Sequence, residues 1–408
     1  MFLYIDPGTG SMLFTILIGV IGAAIYFFRN LFMKFKFFIS GGKVEKNVNK
    51  IPYVIYSDHK RYWNVFEPIC DEFERREIPL VFYTSSEDDP ALKKEYKYVK
   101  CEFIGEGNKG FAKLNMLNAC IVLSTTPGLD VYQWKRSKDV NYYVHIPHAV
   151  GDLTLYRCFG LDYYDAVLTS GDYQIDQLRS LEKLRNLPAK DMVNVGLAYM
   201  DVNKARLNGL EPLPESDNVT VLVAPSWGKS AILSKFGEKI IDAVLKTGYK
   251  VIVRPHPQSF TSEKDMIEGL MKKYPQVEWN RDNDNFEVLR KSDIMISDFS
   301  GVIFDYFLIF DRPVMFADTS FDKAPYDAWW LDEPLWSFSI LPKIGMQLKE
   351  EDFDNMKAVI DECLNSAELM KNRKQISDEC WTHKGEGAVK TVDYLVNKYE
   401  ELNEKEAA

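Results

Sequence analysis

Histidine is scarce in this chain, and its cysteines follow no pattern. Five histidines occur in 408 residues, so one placed at the end of a strand stands out. Six cysteines stand at positions 70, 101, 120, 158, 363 and 380 with no CxxC spacing among them. A chain this long builds its core without disulfide staples, so reduced thiols in a cytoplasmic compartment are expected. An excess of positive charge is also missing. Fifty basic side chains face 60 acidic ones, for a net charge of −10. That balance argues against a general nucleic-acid binder, although it says nothing about any single cleft. Glycine at 23 and proline at 18 exclude a collagen-like or low-complexity chain. No internal repeat is found. The 46% hydrophobic content suffices for two or three packed domains.

Charge is absent altogether from Thr9 to Phe28. About 20 apolar residues at ~1.5 Å each cross a ~30 Å hydrocarbon layer, so this run is expected to be a transmembrane helix within an anchor of residues 1–38. A cleaved signal peptide would carry its positive charges first; here Asp6 precedes the run and Arg29, Lys34 and Lys36 follow it. Residues 29–50 hold six basic side chains against one acid, Glu45. The positive-inside rule then places the rest of the chain in the cytoplasm, as a single-pass protein of the cell membrane. The Asp6–Gly10 stretch reads as a turn before the helix.

Beyond Gly41-Gly42, short apolar strands alternate with amphipathic helices. Tyr53–Tyr56, Leu80–Tyr83, Cys120–Leu123, Tyr142–Ile146 and Ala166–Thr169 read as buried strands of a first domain, residues 50–202. Asn203–Asn218 has the composition of a linker. A second strand–helix series, from Val219–Val223 to Val314–Phe316, gives a domain over residues 219–345, and residues 351–408 read as charged helices. Continuous apolar strands alternating with helices indicate α/β architecture with parallel sheets, and a ligand site in the cleft between the two domains.

Three segments follow strands directly, where loops line the crevice of a parallel sheet. In Arg254-Pro255-His256-Pro257, two prolines stiffen a loop that offers a guanidinium fork and an imidazole to phosphate oxygens. In Ser297-Asp298-Phe299-Ser300-Gly301, residues suited to capping a helix precede the apolar run Val302–Phe310. The free N–H groups and dipole of that helix start suit an anion, and the serine hydroxyls add donors. Asp298 is awkward beside a phosphate and suits orienting its neighbours or meeting a hydroxyl. In His145-Ile146-Pro147-His148, His148 is the candidate general base and His145 a structural histidine. Lys229, in Trp227-Gly228-Lys229-Ser230, adds a possible cationic contact. No cysteine or carboxylate joins the histidines at a metal-ligand spacing.

Together these segments resemble the CDP-glycerol glycerophosphotransferase family, whose membrane-associated members prime and polymerise teichoic acids. Ser297–Tyr306 with Pro313 is similar to the family's Ser-Asp-x-Ser-Ser…Asp-Tyr…Pro block, and Arg254–Pro257 to its Arg-x-His-Pro block. His148 falls at its His-Gly motif. Ala149 stands where that motif has glycine, Gly301 replaces the second serine, and Gly228 lies near a usual arginine. The resemblance implies a GT-B-like fold of two Rossmann-type domains and transfer of glycerol phosphate, or a related alditol phosphate, from a CDP-alditol donor. The acceptor would be polyprenyl-linked or a polymer at the inner leaflet, and CMP would leave. His148 would take the acceptor proton, and His256 would serve the leaving group. Arg254, Ser297, Asp298, Ser300, Gly301 and Lys229 would bind donor phosphate. Neither metal nor cofactor is expected. A GT-B glycosyltransferase and a non-catalytic tethered binding protein remain open alternatives.

Overall fold

The computed structural model describes Phe28 and residues 50–157, 159–214, 216, 218–282, 284–317, 323–324, 328–331 and 334–407. The expected transmembrane run lies outside the described residues except for Phe28. No helix among the described residues is long and apolar enough to cross a membrane. Residues 51–408 form one compact unit.

Two parallel sheets organise it. In the first, β1 (Ile51–Ser57), β2 (Leu80–Thr84), β3 (Val99–Phe103), β4 (Ala119–Ser124), β5 (Val140–His145), β6 (Ala166–Thr169) and β7 (Asp191–Asn194) lie in the order 3-2-1-4-5-6-7. In the second, β8 (Thr220–Val223), β9 (Lys250–Val253), β10 (Glu278–Trp279), β11 (Ile294–Ser297), β12 (Val314–Ala317) and β13 (Gly345–Leu348) lie in the order 10-9-8-11-12-13. Every residue of β4, β8, β11 and β12 is buried, which is what strands covered on both faces require and why they read as unbroken apolar runs. In each sheet the order reverses beside the first strand, between β1 and β4 and between β8 and β11. Crevices at such switch points receive ligands.

Two expected boundaries are corrected. The helix Ala198–Asn208 takes in Asn203–Asn208, the first half of the expected linker, because Tyr199 and Met200 anchor it in the core shared by the two domains. The C-terminal helices also do not act as one unit. The helix Met356–Asn365 packs on the second sheet, whereas Gly387–Ala407 returns to the first, where Val392 and Leu395 join Tyr53, Phe66 and Ile121. The Asp152 carboxylate ties the domains by accepting from the Trp336 N–H (2.7 Å), the Ser337 N–H (3.0 Å) and the Ser337 hydroxyl (2.5 Å). These donors open the helix Trp336–Ile344, whose Trp336 ring stacks on Tyr173 at 3.8 Å. Five cysteines are free thiols, four of them buried; Cys158 lies outside the described residues.

Candidate active site

At the switch point of the first sheet, the loops after β1, β4 and β5 converge. Ile146-Pro147 turns the chain out of β5, so His148 clears the sheet edge. Its Nδ1 lies 3.2 Å from the Thr125 hydroxyl, and its ring packs 4.7 Å from that of Tyr62. Burial lowers the His148 pKa; the Asp58 charge pulls it back up and Arg61 pushes it further down. The ring is therefore neutral at physiological pH, as a proton acceptor must be. Asp58 is fixed by the Thr126 hydroxyl at 2.9 Å. Asp58, Thr125 and Tyr62 went unread in the sequence; the available signal was that Asp58 directly follows the first buried strand. His145 is wholly buried and packs edge-on to Tyr156 and Tyr164, and its pKa is pushed down to about 3 by burial first and His148 second. It is a neutral structural residue, as expected.

At the switch point of the second sheet, a cavity of about 260 Å³ is lined by Arg254, His256, Asn285, Ser300, Gly301 and Asp305. The structure thus brings the two sequence motifs together. His256 Nδ1 accepts from the Gln258 N–H at 3.1 Å, which fixes the tautomer and leaves the proton on Nε2 in the neutral ring. Burial lowers its pKa, Asp298 and Glu263 oppose that, and Arg254 adds to it. Arg254 Nη1 donates to the Asp282 carbonyl at 2.7 Å and to the Asn280 side chain, which hold the guanidinium at the cavity wall. Ser300 and Gly301 stand at the start of the helix Val302–Phe310. A Cβ on Gly301 would meet nothing within 4 Å, and its φ of −58° suits any residue.

Ser297 and Asp298 need correcting. The Ser297 hydroxyl is buried and donates to the Ala224 carbonyl at 2.6 Å. Asp298 is buried and accepts from the N–H groups of Ser226 (3.0 and 3.1 Å), Ile232 (2.9 Å) and Phe299 (2.7 Å). Neither side chain reaches the cavity. Both instead staple the loop after β8 to the loop after β11, because a buried carboxylate has to be met by donors. Lys229 is exposed on that stapled loop, two residues beyond Trp227, whose ring lies 6.4 Å from His256.

Asp305 was missed as a site residue. Burial pushes its pKa up to about 7, so a carboxyl that is half protonated near neutrality lines the anion cavity. An Asp-x-Asp spacing was also passed over in expecting metal-independent chemistry. It is formed by Asp282 and Asp284, whose carboxylates meet Asn280 (2.8 Å) and Arg206 (2.7 Å) respectively. Among the described residues, no group of three or more His, Cys, Asp or Glu is placed to hold a metal ion.

The two half-sites are joined through a shared core. Val150, two residues past His148, shares a core with Ile303 and Phe304 of the helix that Ser300-Gly301 begins. Buried Tyr199, on the first domain, feels the Asp305 charge and hydrogen-bonds the Val150 backbone.

Residues 182–328 match the family model of CDP-glycerol:poly(glycerophosphate) glycerophosphotransferase. Over that segment, about a third of the chain, the sequence is similar to the CDP-glycerol glycerophosphotransferase family. The matched segment contains β8 to β12 and with them the whole second half-site. No curated protein sequence matches the chain. Among solved structures, wall teichoic acid polymerase TagF aligns over 93% of this chain and 99% of its own, at 16% identity and a TM-score of 0.56. A putative UDP-N-acetylglucosamine 2-epimerase from Listeria monocytogenes aligns over 86% and 98%, at 13% identity and a TM-score of 0.57. A UDP-GlcNAc 2-epimerase from Neisseria meningitidis aligns over 86% and 100%, at 12% identity and a TM-score of 0.55. At these identities the structural likeness shows the fold, which is GT-B-like.

Proposed function

We propose that this glycerophosphotransferase-like enzyme moves glycerol phosphate, or a related alditol phosphate, from a CDP-activated donor to a hydroxyl of a cell-envelope polymer or lipid-linked acceptor. The observation that carries this reading is the pairing of a neutral histidine on one switch point with a cationic, donor-lined cavity on the other. A TagF structure soaked with CDPG, which shares the fold, supports the choice of donor. The acceptor oxygen forms a bond to the distal phosphorus while the bond from that phosphorus to the bridging oxygen breaks, and CMP leaves with the electron pair. His148 accepts the hydroxyl proton. Arg254, the His256 Nε2–H and the helix start at Ser300-Gly301 hold the pyrophosphate charge, where fixed donors stabilise a transition state without reorganising. Through that Nε2–H, His256 also steadies the charge that develops on the leaving CMP oxygen. The chain is anchored through its apolar N-terminal run, with the cleft on the cytoplasmic side, where a polyprenyl-linked acceptor meets it.

The test is donor screening with CDP-glycerol, CDP-ribitol and UDP-sugars on membranes carrying the full-length protein. CMP release coupled to acceptor labelling supports the reading. UDP release with sugar transfer, and no turnover of either CDP-alditol, overturns it in favour of a glycosyltransferase.

A further inference from the structure

We propose that Arg61 binds a phosphate carried by the acceptor close to its reacting hydroxyl. Asp58 takes another hydroxyl of the same molecule, which makes the acceptor a polyol phosphate. This rests on the transferase reading above and deepens it. The starting observation is a pair of opposite charges, three residues apart in the loop after β1, that do not meet. The Asp58 carboxylate accepts from the Thr126 hydroxyl at 2.9 Å. The Arg61 guanidinium is exposed and lies over the Tyr62 ring, 5.4 Å from its centroid. Among the described residues it makes no ion pair, whereas the adjacent Lys60 and Asp88 are joined to each other.

The loop is built to keep the two charges apart. The Lys60 N–H donates to the Ser86 hydroxyl at 3.0 Å, and the Arg61 N–H to His59 Nδ1 at 3.1 Å. The Ser57 hydroxyl donates to the His59 carbonyl at 3.0 Å. Beyond Tyr62 the chain runs into the helix Trp63–Arg75, whose Trp63 and Phe66 are buried in the core. The Tyr62 ring beneath Arg61 packs 4.7 Å from the His148 ring, and both charges are felt at both rings. The proton acceptor therefore has an unpaired cation and a fixed carboxylate as neighbours.

Each neighbour selects a different chemical group. A guanidinium offers a planar fork of donors to phosphate oxygens, and an aromatic ring against its face leaves that fork free. A carboxylate repels phosphate but accepts readily from a hydroxyl. One molecule satisfies both if it carries phosphate and hydroxyl groups together, with one more hydroxyl left for His148. An uncharged glycan would bury the guanidinium without a partner, which costs binding. The donor phosphates have Arg254 and the helix start at Ser300-Gly301 on the second sheet, so the cation beside the base is left for the acceptor.

Saturation-transfer NMR titrations of the full-length protein in detergent test this. The probes are glycerophosphoglycerol, a phosphodiester of two glycerols, and diglycerol, its ether counterpart without the phosphate. The wild type should bind the phosphate-bearing probe at least about tenfold more tightly. Arg61→Gln should bring the two to within about twofold, and Arg61→Lys, which keeps the charge but not the fork, should retain part of the preference. Asp58→Asn should weaken both probes alike, because the hydroxyls are common to them. Affinity for CDP-glycerol should stay unchanged in all three variants. Failure to bind either probe, equal binding by the wild type, or a preference that survives Arg61→Gln overturns the proposal. So does a loss of CDP-glycerol affinity in Arg61→Gln, which would move this residue to the donor. CDP-glycerol binding by the wild type reports on the proposed function separately: if it persists while the phosphate preference is absent, only the role of Arg61 falls.

Discussion

The two switch points share one geometry and differ in what surrounds their histidines. His148, on the first sheet, touches a threonine hydroxyl and a tyrosine ring, with a single carboxylate nearby. His256, on the second, shares a cavity with a guanidinium, a carboxyl and a helix start. Burial lowers both pKa values, and both rings are neutral near pH 7. The difference lies in the neighbours. An uncrowded neutral imidazole suits the arrival of a hydroxyl, and a cluster of fixed donors suits a charge that is already there. The fold supplies the same crevice twice, and the loop residues give each copy its task.

The largest effect expected follows from that division. His148→Ala should lower single-turnover transfer by ~10²–10⁴-fold, the usual contribution of a general base, while leaving donor affinity nearly unchanged. Because burial depresses this pKa, the acid limb of the wild-type kcat/KM profile should fall below the ordinary histidine value of about 6.5. Donor affinity falling along with transfer would erase the contrast between the half-sites and make His148 a phosphate ligand.

Arg254→Ala attacks the other side. Losing a charge-assisted contact to phosphate, ~1.5–3 kcal/mol, should weaken donor binding by about one to two decades, measured by titration with CDP-glycerol. Unchanged affinity would mean that Asn280 and Asp282 hold the guanidinium away from the ligand.

How much of this was legible in the sequence follows from burial. The central strands, apolar on both faces, read as unbroken hydrophobic runs. The strands that escaped notice, β3, β7 and β13, are all sheet edges. Val99–Phe103 and Asp191–Asn194 mix polar residues into partly exposed strands, and Gly345–Leu348 begins with a glycine whose absent side chain admits the Val314 carbonyl. The site was legible where a residue type is rare and follows a strand, as with His148, Arg254 and His256. It was illegible where the answer depended on which way a side chain points. Ser297 and Asp298 flank the cavity in sequence yet face inward, while Asp305 lies on the first turns of an otherwise apolar helix and faces the ligand space.

The inward pair gives the next prediction, on stability rather than chemistry. Asp298→Ala would orphan buried N–H groups of Ser226 and Ile232, at ~1–3 kcal/mol for such a loss, so thermal unfolding should shift down clearly. Asp298→Asn keeps one acceptor oxygen and should recover part of that. A stable Asp298→Ala protein that binds donor poorly would return Asp298 to the ligand site.

A smaller effect separates the half-sites by pH. The Asp305 carboxyl, raised to about 7, is mostly protonated below that pH and mostly charged above it. A charged carboxylate repels pyrophosphate, so donor affinity should decline several-fold between about pH 6 and 8. Asp305→Asn should flatten that decline without moving the acid limb assigned to His148. A decline that persists in the variant would place the titrating group elsewhere, with His256 the next candidate.

The smallest effect concerns the position where the chain departs from the family pattern. Gly301 occupies the place of a second serine, which invites the thought that the anion site is impaired. The backbone says otherwise: φ is in the helical range and a Cβ there would meet open space, so glycine is not required by geometry and serine fits without strain. The N–H groups of the helix start present themselves to the cavity whichever residue stands there. Gly301→Ser should therefore leave stability within about 0.5 kcal/mol, as for a substitution in open space, and should change donor affinity only slightly. A gain of tenfold or more on adding the hydroxyl would show that the helix start alone is a weak cradle. The Arg254 charge and the His256 N–H would then be carrying the half-site by themselves.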